Sequence, residues 1–392
     1  MDVTLTVGRE AFREQLRRRD QVVTPFFVRE AESIARLSAR MARRFHRGGR
    51  LLVFGAGRSV SDAQHIAVEF VHPVVAGKRA LPAIDLSTCG ESLIPALARA
   101  EDIVVGLSGP DADPWVMRTL DRTRASGALC VALSGSTPDC AIRAPSSDPF
   151  IHQEVAEMLY HMLWESVQVF LEHQPLGQPA GAASFLYPFL DGDEPDGNEL
   201  LTEIAASVVA KALVDERLRG QLDAQYDALA TAVSAMQARI VDGGMVLVFG
   251  NGGSATDAND FALDLAAPPD GGRPIAALSC SSEVATITAI ANDVGFGAIY
   301  TRQLIAHGRA GDVAFAISTS GGSANVIEAL VEARRRGLLT VALLGYDGGQ
   351  ILRRCLADHV VVIDSDQIPR IQEVQATAYH LMARMLAERM QS

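Results

Sequence analysis

The sequence predicts an α/β protein with two doubly wound parallel-sheet domains, each preceded by long helices. Three features of its 392 residues support this. Two segments repeat each other, short apolar runs alternate with helical patterns in both, and a stretch rich in Pro, Gly and Asp separates them. Apolar runs with helices between them are typical of parallel strands covered on both faces. We therefore expect domains at residues 1–174 and 199–392, joined by a linker at 175–198.

Composition and charge argue against several classes of protein, including disordered, nucleic-acid-binding and disulfide-rich proteins. Hydrophobic residues make up 48% and charged residues 21%, which argues against disorder. The formal net charge of −12 argues against broad binding to nucleic acid. Five scattered cysteines without a CxxC pair predict neither a zinc knuckle nor a disulfide framework. Because no signal peptide or membrane-spanning run is evident, we expect a cytoplasmic protein with no membrane partner.

The two halves align through most of their predicted elements. FHRGGRLLVFGAGRSVSDAQHIAVEF at 45–70 matches IVDGGMVLVFGNGGSATDANDFALDL at 240–265, with a Gly-rich turn that ends on Ser in each. The match ends with QEVAEMLYH at 153–161 and QEVQATAYH at 372–380. Such self-similarity predicts a duplicated domain.

Helices and strands follow in the same order in both halves. Each half opens with amphipathic helical sequence, roughly 9–47 and 199–241. The second half then shows five strand-like runs, which are MVLVFG, PIAALS, VAFAIS, TVALLG and HVVVID. The first half has only AIRAPSSDPF in place of the last run, and LIPALARA in place of IANDVGFGAIYTRQLIAHGRAG. We therefore expect a trimmed first domain.

Two turns of the second half predict a phosphate site. GNGGS at 250–254 and STSGGS at 318–323 each follow an apolar strand and precede a helix, whose free amides attract an anion. The carboxyl ends of parallel strands meet at one crevice, so the two turns would hold one phosphate monoester. The absence of GK[ST] excludes a nucleotide P-loop. Plain helix capping remains the alternative.

The corresponding turns of the first half are altered. GAGRS keeps its serine but has Arg58 in place of a glycine. In SGPDAD at 108–113, Asp111 and Asp113 would repel a phosphate, and Pro110 lacks an N–H donor. We expect this half to have lost its phosphate site.

Acid–base side chains follow the first turn of each half. His65 and Glu69 share one helix face, and Gln153 and His161 lie near one face of the last helix. Together they could bind a borderline divalent ion such as zinc, or act as general acid and base. Polar residues on a surface helix are the alternative.

The second half changes this set. Its four equivalent positions hold Asp260, Asp264, Gln372 and His380. A carboxylate replaces the first histidine, and a shorter carboxylate replaces the glutamate, so we expect weaker metal binding and a shorter reach.

At these motifs the chain resembles the sugar isomerase (SIS) fold, and within it the phosphoheptose isomerase (sedoheptulose 7-phosphate isomerase) family. GNGGSATDANDFALDL, ISTSGGSANVIEAL, AIANDVGFGAIY and RIQEVQATAYH resemble segments of that family in its order, and the first half does so more loosely. The resemblance implies two SIS-type, Rossmann-like domains. It also shows a departure, since the family typically has one domain per chain in a homotetramer.

The resemblance implies roles for individual residues. The implied substrate-binding residues are Asn251, Ser254, Asp293, Ser318, Thr319, Ser320, Ser323 and Gln372. The implied metal-binding residues, with zinc the expected ion, are His65, Glu69, Gln153 and His161. The family's proposed Glu base and His acid fall on Glu69 and His161, with Asp264 and His380 as their counterparts.

These observations predict a ketose-to-aldose phosphate isomerase, converting sedoheptulose 7-phosphate through an enediol. One half keeps the His/Glu/Gln/His set and the other keeps the phosphate turns. Because the family's active sites lie at subunit interfaces, we hypothesise a composite site. Two alternatives stay open, a non-catalytic sugar-phosphate-binding regulator or scaffold, and an isomerase of another ketose phosphate. Two fused halves further predict a homodimer that mimics a tetramer.

Overall fold

The computed structural model describes residues 3–74, 77–133, 140, 142–143, 145–173, 199–269 and 271–391. The expected linker at 175–198 lies outside these residues. Two parallel sheets with helices between their strands make up the fold, which confirms the predicted class.

The first half forms a four-stranded sheet. Its strands are β1 Leu51–Gly55, β2 Ala83–Asp85, β3 Ile103–Leu107 and β4 Leu129–Ala132. They pair in parallel in the order β2-β1-β3-β4. The helices are α1 Val3–His46, α2 Ser59–Val71, α3 Leu93–Leu97, α4 Pro114–Thr123 and α5 Pro149–His173. The long predicted helix and the apolar runs thus appear where the sequence indicated.

The second half forms a five-stranded sheet. Its strands are β5 Val246–Phe249, β6 Ala277–Ser279, β7 Val313–Ser318, β8 Leu339–Gly345 and β9 His359–Ile363. They are all parallel, in the order β6-β5-β7-β8-β9. Each of the five predicted runs supplies one strand, and the described residues of the first half hold no counterpart of β9.

Helices precede, connect and follow these strands. They are α6 Glu199–Arg219, α7 Gln221–Ala224, α8 Tyr226–Val241, α9 Gly253–Ala266, α10 Val284–Asp293, α11 Ile299–His307, α12 Ala324–Arg335, α13 Gly349–Arg353 and α14 Ile368–Gln391. Among the described residues no helix combines the length and apolarity needed to cross a membrane. The expected compartment stays a prediction.

Two buried aspartates make equivalent hydrogen bonds in the two sheets. Asp102 precedes β3 and accepts a hydrogen bond from the backbone amide of Arg50 at 2.8 Å. Asp312 precedes β7 and accepts one from the amide of Met245, also at 2.8 Å. In both, the second carboxylate oxygen accepts from the amide three residues upstream. Each aspartate therefore ties the start of one central strand to its neighbour.

The described chain divides into two compact units. One, the four-stranded unit, comprises residues 19–214, and the other, the five-stranded unit, comprises residues 1–18 and 215–392. Residues 1–18 thus group with the second sheet, and residues 199–214 with the first. The division at 1–174 and 199–392 stays a prediction.

Candidate functional site

The two Gly-rich turns of the five-stranded unit are adjacent. They follow β5 and β7, which are neighbours in the sheet. A Cβ on Gly250 would lie 2.4 Å from the carbonyl oxygen of Ser254 and 2.7 Å from that of Ile317, so only glycine permits this approach. Gly321 has φ +56°, and a Cβ there would lie 2.2 Å from the carbonyl oxygen of Gly348. The turns are therefore built to bring backbone together.

Serine hydroxyls line these turns. Ser254 is buried in the first turn of α9, and Ser318 is buried at the end of β7. The hydroxyl oxygen of Ser318 accepts a hydrogen bond from the amide of Gly321, and that of Ser320 accepts one from Gly322, both at 3.2 Å. Because each oxygen accepts, its hydrogen is left to donate to a ligand. This is the arrangement that an anion requires.

The amino ends of α12 and α4 differ in how they are capped. Ser323 holds the N-cap position of α12, and its side chain makes no capping hydrogen bond. Asp113 holds the equivalent position of α4, and its Oδ1 accepts from the amides of Trp115 at 2.7 Å and Val116 at 3.3 Å. Simple capping therefore does not explain Ser323. In the first half, by contrast, the carboxylate of Asp113 caps the helix.

Two asparagines join the turns. Nδ2 of Asn251 donates to Oδ1 of Asn325 at 2.9 Å, and Nδ2 of Asn325 donates to Oδ1 of Asn251 at 2.8 Å. The hydroxyl of Tyr300 donates to the carbonyl oxygen of Gly250 and lies 3.3 Å from Oδ1 of Asn251. Sequence reasoning singled out Asn251 and missed the other two. Both lie in segments that carried the family resemblance, which was the only signal available for them.

The remaining predicted substrate residues lie in different surroundings. Thr319 is half-buried in the turn after β7. Asp293 is exposed at the end of α10, where it accepts from Asn292 at 2.8 Å, and no described hydrogen bond joins it to either turn. Gln372 is buried near the start of α14. The roles of these three stay predictions.

In the four-stranded unit, three predicted metal-binding residues converge. His65 and Glu69 on α2 and His161 on α5 are all buried. One possible ligand atom from each lies within 4.8 Å of the others. Nε2 of His65 is 3.4 Å from Nε2 of His161 and 3.8 Å from Oε1 of Glu69. The three side chains are therefore close enough to share a ligand, and their role in metal binding stays a prediction.

Burial sets the charge of this cluster. Burial, together with the neighbouring His161, holds the pKa of His65 well below its ordinary value, so its ring is neutral. Burial, with a smaller contribution from the charge of Glu165, raises the pKa of Glu69 to about 8. Without a cation, most of the cluster is therefore uncharged at neutral pH. A divalent ion would favour the carboxylate form of Glu69.

The three side chains fit a zinc ion. Zinc binds nitrogen and oxygen ligands at about 2.0–2.1 Å in a tetrahedral arrangement. Ligand atoms around one zinc ion are therefore about as close to one another as the nitrogen and oxygen atoms of His65, Glu69 and His161 are here. Oε2 of Glu69 is buried without a hydrogen-bond partner among the described residues. The hydroxyl of Tyr160 lies 2.9 Å from Nδ1 of His65, and such a contact orients the ring so that Nε2 can bind a metal.

The fourth predicted ligand has other partners. The amide nitrogen of Gln153 donates to Asp62 at 3.0 Å and to Glu157 at 3.4 Å. Its Oε1 is buried with no hydrogen-bond partner within the described part of the chain, and this is the atom that could face an ion. Gln153 therefore stays a predicted ligand.

In the five-stranded unit, a buried acid–base pair lies at the equivalent positions. Nε2 of His380 on α14 lies 3.5 Å from Oδ2 of Asp264 on α9, and both side chains are buried. Asp260 and Gln372 are buried on the same two helices. Within the described residues of this unit alone, no three His, Cys, Asp or Glu side chains cluster closely enough to hold an ion. The weaker metal binding expected from the substitutions stays a prediction.

The chain is similar to proteins with SIS domains and to phosphoheptose isomerases. Residues 212–345 match the family model of the SIS domain. The phosphoheptose isomerase of Citrifermentans bemidjiense is 39% identical over 188 residues, which cover 48% of this chain and 95% of that protein. That of Geobacter sulfurreducens is 38% identical over 192 residues, covering 49% and 99%.

A solved structure is similar over nearly the whole chain. The C-terminal domain of glucosamine-fructose-6-phosphate aminotransferase from Francisella tularensis covers 92% of this chain and 94% of its own, with a TM-score of 0.55 and 11% identity. This likeness concerns the fold alone, and its coverage extends it to both sheets.

Proposed function

The chain belongs to the phosphoheptose isomerase family, and from that premise we propose that it interconverts a ketose phosphate and an aldose phosphate, with sedoheptulose 7-phosphate the favoured substrate. One observation carries the proposal. The amino end of α12 is not capped by Ser323 and lies beside a second serine turn, as a site for a phosphate monoester requires.

Phosphate binding would supply positioning energy far from the reacting carbons. The hydroxyls of Ser254, Ser318 and Ser320 would donate to phosphate oxygens, while the α12 dipole favours the negative charge. Such remote binding fixes C1 and C2 relative to the proton-transfer groups and so raises the rate.

Proton transfer needs a base and an acid. The carboxylate of Glu69 would take the proton from C1 of the ketose, while His161 protonates the carbonyl oxygen at C2, giving the enediol. Return of a proton to C2 and loss of the hydroxyl proton at C1 then gives the aldose. A bound zinc ion would polarise the substrate oxygens. Buried placement suits Glu69, since it brings the pKa of the base near the working pH.

A division of labour between the halves is part of this proposal. Ser59 and Glu69 are ten residues apart on α2, as are Ser254 and Asp264 on α9, and ten residues correspond to about 15 Å of helix. The start of each helix and its carboxylate are therefore about three turns apart. We propose that the five-stranded unit binds the phosphate and that His65, Glu69 and His161 move the protons.

Two substitutions test this function. Incubation with sedoheptulose 7-phosphate in D₂O, followed by NMR of the sugar, measures aldose formation and exchange at C1. Glu69→Ala should lower kcat by about 10²–10⁴-fold, because it removes the base. Ser320→Ala should raise KM several-fold, because it removes a phosphate donor. Glu172→Gln, which removes an exposed carboxylate of α5, and Ser59→Ala serve as matched controls.

The outcomes separate the alternatives. Full activity of Glu69→Ala with loss in Asp264→Ala would show that the five-stranded unit works alone, and would exclude the division of labour. Substrate binding without turnover, in wild-type protein supplied with zinc, would favour the non-catalytic regulator. If the protein converts a different ketose phosphate and does not convert sedoheptulose 7-phosphate, the proposed isomerase reaction stands and the proposed substrate is wrong.

A further inference from the structure

We propose that the Asn251–Asn325 amide pair, tied to the backbone by Tyr300, is a positioning device that fixes the separation of the two serine turns and thereby sets their affinity for phosphate. The inference rests on the proposed function and deepens it. It assigns roles to Asn325 and Tyr300, two side chains that act through the turns and need not touch the substrate.

The amide pair couples the two turns directly. Asn325 is 2% exposed, and its side chain both donates to and accepts from Asn251. Its Oδ1 also accepts from the amide of Val326 at 3.0 Å, which anchors the side chain in the first turn of α12. Since Asn251 belongs to the turn after β5, a movement of either turn would break two partly buried hydrogen bonds.

Tyr300 holds the other end of this network. It lies at the start of α11, and its ring packs on Phe249 of β5 with centroids 5.3 Å apart. Its hydroxyl donates to the carbonyl oxygen of Gly250, the residue that opens the turn. Burial raises the pKa of Tyr300 to about 12, so the hydroxyl keeps its proton throughout the physiological range.

The first half of the chain provides an internal comparison. Ala56 stands at the position of Asn251, and Trp115 stands at the position of Asn325. Helix α3 aligns with the end of α11, and the shortened segment that leads into it, LSTCGESLIPAL, contains no tyrosine to match Tyr300. Trp115 packs against Phe54 instead, with centroids 5.2 Å apart. The polar network is therefore missing as a whole in the half whose phosphate turns are altered.

The same half keeps a hydrogen bond that both turns share. The amide of Gly55 donates to Oγ of Ser87 at 3.0 Å, just as the amide of Gly250 donates to Oγ of Ser281 at 3.3 Å. The strand–turn–helix unit thus forms without the asparagine pair. The pair is accordingly assigned to phosphate binding rather than to folding.

Two substitutions in the hydrogen-bond network test the inference. Tyr300→Phe keeps the ring and removes the hydroxyl, and Asn325→Ala removes the amide. We expect each to raise the Kd for inorganic phosphate, measured by isothermal titration calorimetry on the full chain, by about threefold to tenfold. KM for sedoheptulose 7-phosphate should rise by a similar factor, with kcat within about twofold of wild type.

A buried hydroxyl at the other end of the sheet provides the control. Thr340 is buried near the start of β8, and its hydroxyl donates to Asp358 at 2.8 Å. Thr340→Val should lower the melting temperature and leave the Kd unchanged. Should Asn325→Ala fail to fold, Tyr300→Phe alone carries the test.

Each outcome decides the matter. An unchanged Kd in Tyr300→Phe, or an equal rise in Thr340→Val, overturns the positioning role. A fall in kcat with unchanged KM does so as well. Wild-type protein that does not bind phosphate would overturn the proposed function first, and the positioning role with it.

Discussion

Asp113 and Ser323 hold the same place in the repeat and do different work. The carboxylate of Asp113 caps α4 through two amides, whereas the hydroxyl of Ser323 makes no capping hydrogen bond to α12. A capping side chain stabilises the fold, and an uncapped helix end is available to a ligand. One position thus separates a structural role from a binding role.

This contrast yields a matched prediction. Asp113→Ala should lower the free energy of unfolding by about 1 kcal/mol, because it removes an N-cap. Ser323→Ala should leave stability within about 0.5 kcal/mol of wild type and weaken phosphate binding instead. Urea unfolding and phosphate titration of both variants measure the two effects. Equal losses of stability would contradict the assignment.

The residues that sequence reasoning could identify were those with a spacing or a type of their own. His65 and Glu69 were identifiable because i,i+4 spacing places them on one helix face. Asn325 and Tyr300 were not, because their partners lie 74 and 50 residues away and neither residue type is unusual in a helix. Asp113 was expected to repel phosphate, and its capping contacts became visible only with the turn in place.

At the scale of elements, the apolar runs were sufficient to predict the strands. All residues of β1, β3, β4, β5, β7 and β8 are buried, which accounts for their largely apolar sequences. The polar exceptions are Ser318 at the end of β7 and Thr340 in β8. The long helices could not be assigned to units in the same way. Residues 1–18 group with the second sheet through tertiary contacts that hydrophobic periodicity does not encode.

The aspartates before the central strands allow a pH test. Burial alone would raise the pKa of Asp102, but hydrogen bonds from the side chain and amide of Arg50 and from the amide of Arg99 outweigh it and hold this pKa below its ordinary value. A lowered carboxyl pKa adds stability above the unfolded pKa of about 3.9, and this stability is lost as pH falls through the folded pKa.

Asp102→Asn should therefore lower the free energy of unfolding by about 1–3 kcal/mol at pH 7, with a deficit that shrinks as the pH falls below about 4. Denaturant titrations at several pH values measure this. Asp312→Asn is the matched variant, since Met245 replaces the arginine there. A deficit in Asp102→Asn that grows at acid pH would contradict the assignment.

At the scale of the whole molecule, the two units are expected to respond to different ligands. Zinc should slow amide hydrogen exchange in α2 and α5, and phosphate should slow it around Ser254 and Ser318–Ser323, because binding stabilises the segments that contact the ligand. Exchange followed by mass spectrometry separates these segments. Glu69→Gln should abolish the zinc effect and retain the phosphate effect. Zinc protection that persists in this variant would exclude the His65–Glu69–His161 site.

Asp113 also limits the number of sugar-phosphate molecules that the chain is expected to bind. The side-chain carboxylate of Asp113 accepts from the amides of Trp115 and Val116 at the start of α4, and these amides would otherwise be available to a dissolved anion. The four-stranded unit is therefore not expected to bind a sugar phosphate at this turn. Although the chain contains the fold twice, we expect it to bind one molecule of sugar phosphate per polypeptide. A binding titration should therefore show a single class of site.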